Sequence, residues 1–380
     1  MFNALFTKTD EYARLAQALG GPGACALFGI PGSGRAMVYA ALAKALDKPL
    51  CIVTPGEAEA TRFAGDLNAL GVAAAVFPAR DYVLRPIEGT GREYEYRRLA
   101  VLGDLVGGRL QAVCVPDEGL TQYTTPRADF CANTRSLRPG DTLPRSELTA
   151  LLYGAGYTRR DQVDGPGQFS IRGDIADIYA PDMKQPARME FWGDEIDTIS
   201  YFDAETQRRT DQITEVTISP AVEVVPDSMS ILAKKLEAHA KTLRGKAAPA
   251  AKGVLLREAD KLKNDLHIGC MDKYYTFVYE TAATLFDYFD TDALLVFSEG
   301  SKLKERMRTT LWQWGEDVRG LLAEGVLCRG LDMYTETYEY ALKRAEDTAS
   351  VYMDAFARGS YDTPTKALVN MTVRQLSVWG

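Results

Sequence analysis

Histidine is nearly missing from this chain: 380 residues contain two, His239 and His267, and both read as ordinary residues of helix-like segments. Cysteine occurs six times (Cys25, Cys51, Cys114, Cys131, Cys270, Cys328) with no close cysteine pair. That excludes a disulfide framework and a cysteine-rich zinc site, and it fits a reducing compartment. No apolar run is long enough to span a bilayer, and Met1-Phe2-Asn3 does not open a signal peptide. A cytoplasmic protein with no membrane partner is therefore expected. Positive charge is also in short supply. The net charge is -8 and the pI about 5.1, the opposite of the balance usual in proteins that live on nucleic-acid phosphates.

Composition is otherwise that of a soluble globular protein, with 46% hydrophobic and 25% charged residues, and the length suits two or three domains. Near the start, the apolar run Ala24–Gly29 leads into GIPGSGRA and then a helix-like segment, Met37–Leu46. Strand, glycine-rich loop and helix in this order suggest a phosphate-cradling loop, with Gly29, Gly32 and Gly34 at the required spacing. Arg35 stands where such loops carry lysine and Ala36 where they carry Ser or Thr. A guanidinium is larger than an ammonium and fits the nest differently, and a methyl group offers Mg²⁺ no oxygen. The site therefore reads as degenerate. Leu50–Val53 and Val72–Phe77 read as further strands, separated by a helix that Thr54-Pro55-Gly56-Glu57 would open with a capping box. Such alternation predicts a parallel sheet covered on both faces. Val113–Glu118 looks like a strand ending in an acidic pair, although Pro116 interrupts it. Tyr82, Tyr94 and Tyr96 are read as the apolar side of a helix rather than as a base-stacking platform.

The chain's centre of organisation is the stretch 157–202, where strand-like runs alternate with turn residues. Phe169 and Ile171 share one side; Met189 and Phe191 do likewise, opposite Arg188 and Glu190. Period two with one apolar side predicts a half-buried antiparallel sheet whose solvent face carries Arg159, Arg172, Arg188 and Glu190. Taken alone, such a mixed-charge patch also suits a merely solvated face.

GQFSIRGDIADIY, followed by RMEFWGDEI and YFDAETQR, resembles the second domain shared by the bacterial transcription-repair coupling factors and the excinuclease B subunit of nucleotide excision repair. A weaker resemblance extends over essentially the whole chain. It implies a degenerate P-loop domain at 1–126, an inserted sheet domain at 127–225 that binds the excinuclease A subunit, and a mostly helical part at 226–380 returning to the first domain. The fold class is then α/β with an inserted α+β sheet domain. The implied partner-binding residues are Arg159, Arg172, Arg188, Glu190 and, less centrally because parity points it inward, Phe191. Ser170 departs from the family, where the excinuclease B subunit has a further arginine. The resemblance also puts the acidic pair of the nucleotide site at Ser298-Glu299, with serine replacing the metal-binding Asp. It implies no cofactor for this chain. In the full-length family, ATP and Mg²⁺ belong to motor domains, and RNA polymerase and duplex DNA are contacted through modules not expected here. The chain ends where those modules would follow, and is expected to be a piece of a longer protein.

The leading expectation is a non-catalytic recognition module. Two alternatives stand beside it: an ATP-dependent DNA-handling enzyme with an unusual P-loop, and an autoinhibitory clamp on the motor part of the intact protein. Towards the end, Met229–Thr242 and Val254–Leu266 read as helices, Arg244–Lys252 as a loop, and Ala293–Phe297 and Ala367–Trp379 as strands.

Overall fold

A computed structural model describes residues 6–85, 91–264, 268–289 and 293–371. His267 and the end of the strand expected at 367–379 therefore lie outside the described residues.

The chain begins a sheet with β1 (Gly23–Phe28), whose successor is the helix Gly32–Leu46. β2 (Leu50–Thr54), the helix Glu57–Ala69, β3 (Ala74–Val76), the helix Glu93–Val106 and β4 (Ala112–Pro116) follow. β2 and β4 are buried along their whole length, which is why they read as unbroken apolar runs. The chain then leaves for β5 (Arg135–Leu137), the helix Arg145–Gly154, and β6 (Thr158–Arg159), β7 (Gln168–Arg172), β8 (Ile175–Tyr179), β9 (Ala187–Trp192), β10 (Glu195–Phe202), β11 (Arg209–Ile213) and β12 (Val216–Ile218). After the helices Met229–Thr242 and Ala248–Lys263 it returns with β13 (Leu294–Ser298), the long helix Gly300–Glu324, β14 (Ala349–Asp354) and β15 (Thr365–Asn370).

Three sheets result. The first is parallel throughout, in the order β15-β1-β14-β13-β2-β4-β3. The second runs β11-β10-β9-β8-β7-β6 and is antiparallel except where the short β6 joins β7. β5 and β12 form a small antiparallel pair. The architecture is thus α/β with a separate antiparallel sheet, as the strand–helix alternation and the period-two stretch imply.

Several local expectations are corrected. The helix after β2 starts at Glu57 with Gly56 as its N-cap and no side-chain cap, because the Thr54 hydroxyl donates to the Gly56 carbonyl instead. Ile213–Ile218 reads in the sequence as one last strand, but it divides between β11 and β12, which belong to different sheets. The loop expected at 244–252 is partly helix, since Pro249 occupies a first-turn position where its missing N–H costs nothing. Tyr82 precedes the helix Glu93–Val106 and donates its hydroxyl to the Tyr123 and Tyr334 carbonyls, while Tyr94 is exposed.

A buried ionic node ties together the segment after β3, the helix Glu93–Val106, the segment past β12 and the helical part at Asp272. Glu223, just past β12, accepts from Arg98 at 2.7 Å and lies 3.5 Å from Arg80. Arg80 also pairs with Glu95 at 3.0 Å and with Asp272 at 2.5 Å. The Glu223 N–H donates to Glu95 at 2.9 Å, and its carbonyl accepts from Thr125 and Tyr279. Burial works to raise the Glu223 carboxyl, but Arg80 and Arg98 outweigh it and hold it below the ordinary glutamate range.

Candidate functional site

The six-stranded sheet has an inward face and an outward face. Phe169, Ala176, Ile178, Met189, Phe191 and Ile199 turn inward and join Leu148 and Leu152 of the helix Arg145–Gly154 in one core. Register then assigns the outward rows. Ser170, Asp177, Arg188 and Ser200 form one; Arg172, Ile175, Glu190 and Thr198 form the next.

The two rows differ in what they can do. Asp177 is 1% exposed and accepts from Arg188 Nε at 2.6 Å and Nη2 at 2.9 Å, and from Arg172 Nη2 at 3.1 Å. Arg188 further donates to the Gln207 carbonyl and lies 4.5 Å over the Phe202 ring. The Ser170 hydroxyl donates to the Asp161 carbonyl and Gln207 Nε2 to that of Val163, so the segment 161–163 and the turn 203–207 are tied across this row. Val163 and Phe202 are fully buried. Half of the outward face is therefore a second small core and not a solvated surface.

Arg188 is accordingly corrected from a free surface cation to a mostly buried brace, since all but one of its nitrogens serve Asp177. Arg159 is corrected as well. Its register partner is Phe169 of the inward set, and its guanidinium donates to the Ile171 carbonyl at the sheet edge. Phe191 is 5% exposed and belongs to the core, which removes it from a contact surface.

The other row remains open. The Arg172 side chain is 54% exposed yet held by Asp177, and Glu190 is partly exposed, accepting from Thr198 and pairing with Arg209. Two residues beyond Glu190 on the same side of β9 stands Trp192, 85% exposed. Trp192 and Asp177 are the residues that the reading of the sequence missed. Both were available to parity: 188, 190 and 192 alternate, as do 175, 177 and 179.

The glycine loop sits at the carboxyl end of β1. Gly29 has φ 91°, and a Cβ there would come 2.7 Å from the Met371 carbonyl oxygen, so glycine is required. Its N–H donates to Ala355, and the Gly34 N–H donates to Pro31 at 2.8 Å, so both amides are engaged within the chain. Gly32 and Gly34 lie in the first turn of the helix Gly32–Leu46. Arg35, 2% exposed, turns inward: Nη1 donates to Ser298 Oγ at 3.2 Å and Nη2 pairs with Glu299. Ser298 ends β13, one strand from β1 across β14, and Glu299 caps the next helix with φ 56°. Folding thus brings together Arg35, Ser298 and Glu299, although 263 positions separate the first two. Ala36 is buried in the core. Asp354, ending β14, accepts from the Gly300 N–H, and burial raises its carboxyl. Asp117 lies at the end of β4, on the far side of β2 from β13, and pairs with Arg306 at 3.3 Å. Among the described residues no group of three His, Cys, Asp or Glu is placed to hold a metal ion, and no helix is long and apolar enough to cross a membrane.

The fold is a parallel α/β sheet with a glycine loop after β1, carrying a separate antiparallel sheet. Residues 136–223 match the family model of the UvrB interaction domain. The chain is also 27% identical to a transcription-repair-coupling factor of Bacillus subtilis, over 92% of this chain and 30% of that protein. It is 29% identical to the transcription-repair-coupling factor of Staphylococcus haemolyticus over 66% of this chain and 22% of that protein, and 30% identical to one from Staphylococcus aureus over 60% and 20%. The chain spans less than a third of the length of these relatives. The domain match and the relatives together support an excinuclease-B-like module of the transcription-repair-coupling factors.

Proposed function

We propose that the chain is a non-catalytic recognition module of a transcription-coupled repair factor, recruiting the excinuclease A subunit through the open row of its six-stranded sheet. The observation that carries this reading is the row itself: Arg172 pre-positioned by buried Asp177, Glu190 beside it, and Trp192 standing almost fully in solvent on the same side. Arginine and tryptophan are the residue types that dominate binding energy at protein interfaces, and an oriented guanidinium pairs bidentately with carboxylates. Arg209 covers Glu190 in the free chain and would have to share or release it on docking. What favours a non-catalytic role is the occupation of Arg35 by Ser298 and Glu299, together with the missing hydroxyl at Ala36 and the missing carboxylate at Ser298.

Calorimetric titration with the excinuclease A subunit tests this. Arg172→Ala and Trp192→Ala should each weaken binding by at least about tenfold, roughly 1.4 kcal/mol, with melting temperature unchanged. Full affinity in the Arg172→Ala, Glu190→Ala, Trp192→Ala triple variant would place the docking face elsewhere.

A further inference from the structure

The acidic balance of the chain conceals a strongly basic region. Residues 229–264 contain nine lysines and arginines against three carboxylates, a net of +6 in a chain of net -8, so the remainder carries -14. These residues form one unit: the helices Met229–Thr242 and Ala248–Lys263 pack side by side through Leu232, Leu236, Leu255, Ala259 and Leu262. Apart from the exposed Ile231 and Leu256, their large apolar side chains are mostly consumed in that packing, which turns the cations outward, and eight of the nine are exposed.

Few of these cations are neutralised. Lys263 pairs with Glu237 at 2.5 Å. Lys235 donates to the Phe277 carbonyl, and Arg244 to the carbonyls of Lys241 and Leu243. Lys234, Lys241, Lys246, Arg257 and Lys261 have no carboxylate within ion-pair distance among the described residues. Of the other two carboxylates, Glu258 is buried and bonded to Lys273 and Tyr274, and Asp260 is exposed but forms no ion pair among the described residues. Elsewhere, surface arginines commonly have a carboxylate partner, as Arg62, Arg97, Arg109 and Arg138 do.

We infer that this helical hairpin is a contact surface for the phosphate backbone of duplex nucleic acid, read without regard to sequence. Three features select this ligand. Uncompensated cations gain by releasing counterions from a polyanion. Seven of the nine are lysines, point charges on flexible stems that suit phosphates more than bidentate carboxylate recognition. Residues 229–264 contain no Phe, Tyr or Trp, so they offer no stacking platform for single-stranded bases. The acidic remainder of the chain opposes binding, which makes the contact weak, oriented and salt-sensitive.

Fluorescence anisotropy of the whole chain with a mixed-sequence duplex of about 30 base pairs tests the inference. Three or four phosphate contacts give a slope of about -3 in log K against log salt, so affinity falls about 50-fold between about 50 and 200 mM salt. The Lys234→Glu, Lys241→Glu, Lys261→Glu variant should lose at least about tenfold in affinity at low salt and most of the slope. The control Lys8→Glu, Lys184→Glu, Lys343→Glu changes net charge equally and should lose less than about threefold. Equal losses in the two variants, or no binding by the parent at low salt, overturn the inference. So does polyglutamate competing better than duplex, which would assign the hairpin to an acidic protein.

Discussion

Replacing Asp177 by alanine should damage the sheet, whereas replacing Arg172 should damage only docking. Asp177 is 1% exposed, and its two short bonds to Arg188 lie where little water can substitute for them. Breaking a buried pair by removing one partner costs about 3–5 kcal/mol, because the other charge stays behind uncompensated. Arg188 is that charge, 13% exposed and fixed over Phe202. Arg172 is 54% exposed, so its share of the pair is screened to about 0–1 kcal/mol. Hydrogen exchange followed by mass spectrometry on peptides covering β8 and β9 separates the two. Asp177→Ala should speed exchange there by about 10²–10³-fold, the equivalent of that loss at 1.4 kcal/mol per decade. Arg172→Ala should stay within about fivefold of the parent. Adding Arg188→Ala to Asp177→Ala should cost at least about 1 kcal/mol less than the two losses summed, since no orphaned charge remains. A change below about threefold in Asp177→Ala, or equal effects of Asp177→Ala and Arg172→Ala, would refute the assignment of Asp177 as the brace of this face.

Two further outcomes follow from the buried charges. The chain should show no Mg²⁺-dependent ATP turnover, as Ala36 has no oxygen for a metal, Ser298 lacks the carboxylate and has its hydroxyl engaged by Arg35, and Arg35 is already paired; turnover that survives purification and vanishes in Arg35→Ala would contradict this. The Glu223 carboxyl is held below its unfolded value, so its contribution is present above about pH 4.3 and lost as pH falls through the folded pKa. Urea unfolding across this range should show a loss of stability towards acid that is smaller in Glu223→Gln, and parallel curves for the two proteins would exclude Glu223 as the titrating group.

Much of this was legible in the sequence where one physical rule acts alone. Period two assigned the inward residues Phe169 and Met189 and the core position of Phe191, because one face of the sheet is dry. The unbroken apolar runs of β2, β4 and β13 marked a sheet covered on both sides. Failures came where a second layer intervened. Alternation cannot tell a solvated face from one roofed by the segment 161–163 and the turn 203–207, so Arg188 looked free and Ser170 looked like a lost contact. Arg159 misled for a related reason: β6 is a two-residue edge strand whose register, not fixed by any hairpin, sets Arg159 opposite the inward Phe169. The basic hairpin was hidden by averaging. A net charge for the whole chain has no address, and only the fold shows that the cations of residues 229–264 share one surface.

Two arginines in this protein use the same chemistry to opposite effect. Arg35 reaches inward from the glycine loop and spends both terminal nitrogens on Ser298 and Glu299, at 2% exposure. Its pairing spans the carboxyl ends of β1 and β13, where a loop of this type would otherwise cradle a phosphate. An internal cation–carboxylate pair lets the scaffold persist with no ligand, and it leaves little charge to attract one. Arg172 gives one terminal nitrogen to a buried carboxylate and keeps the rest of its fork in solvent. Its geometry is fixed in advance, so less side-chain entropy remains to be lost on binding. Under the proposed function, Arg172 on the open row is the arginine that meets the partner, with Trp192 adding apolar area beside it.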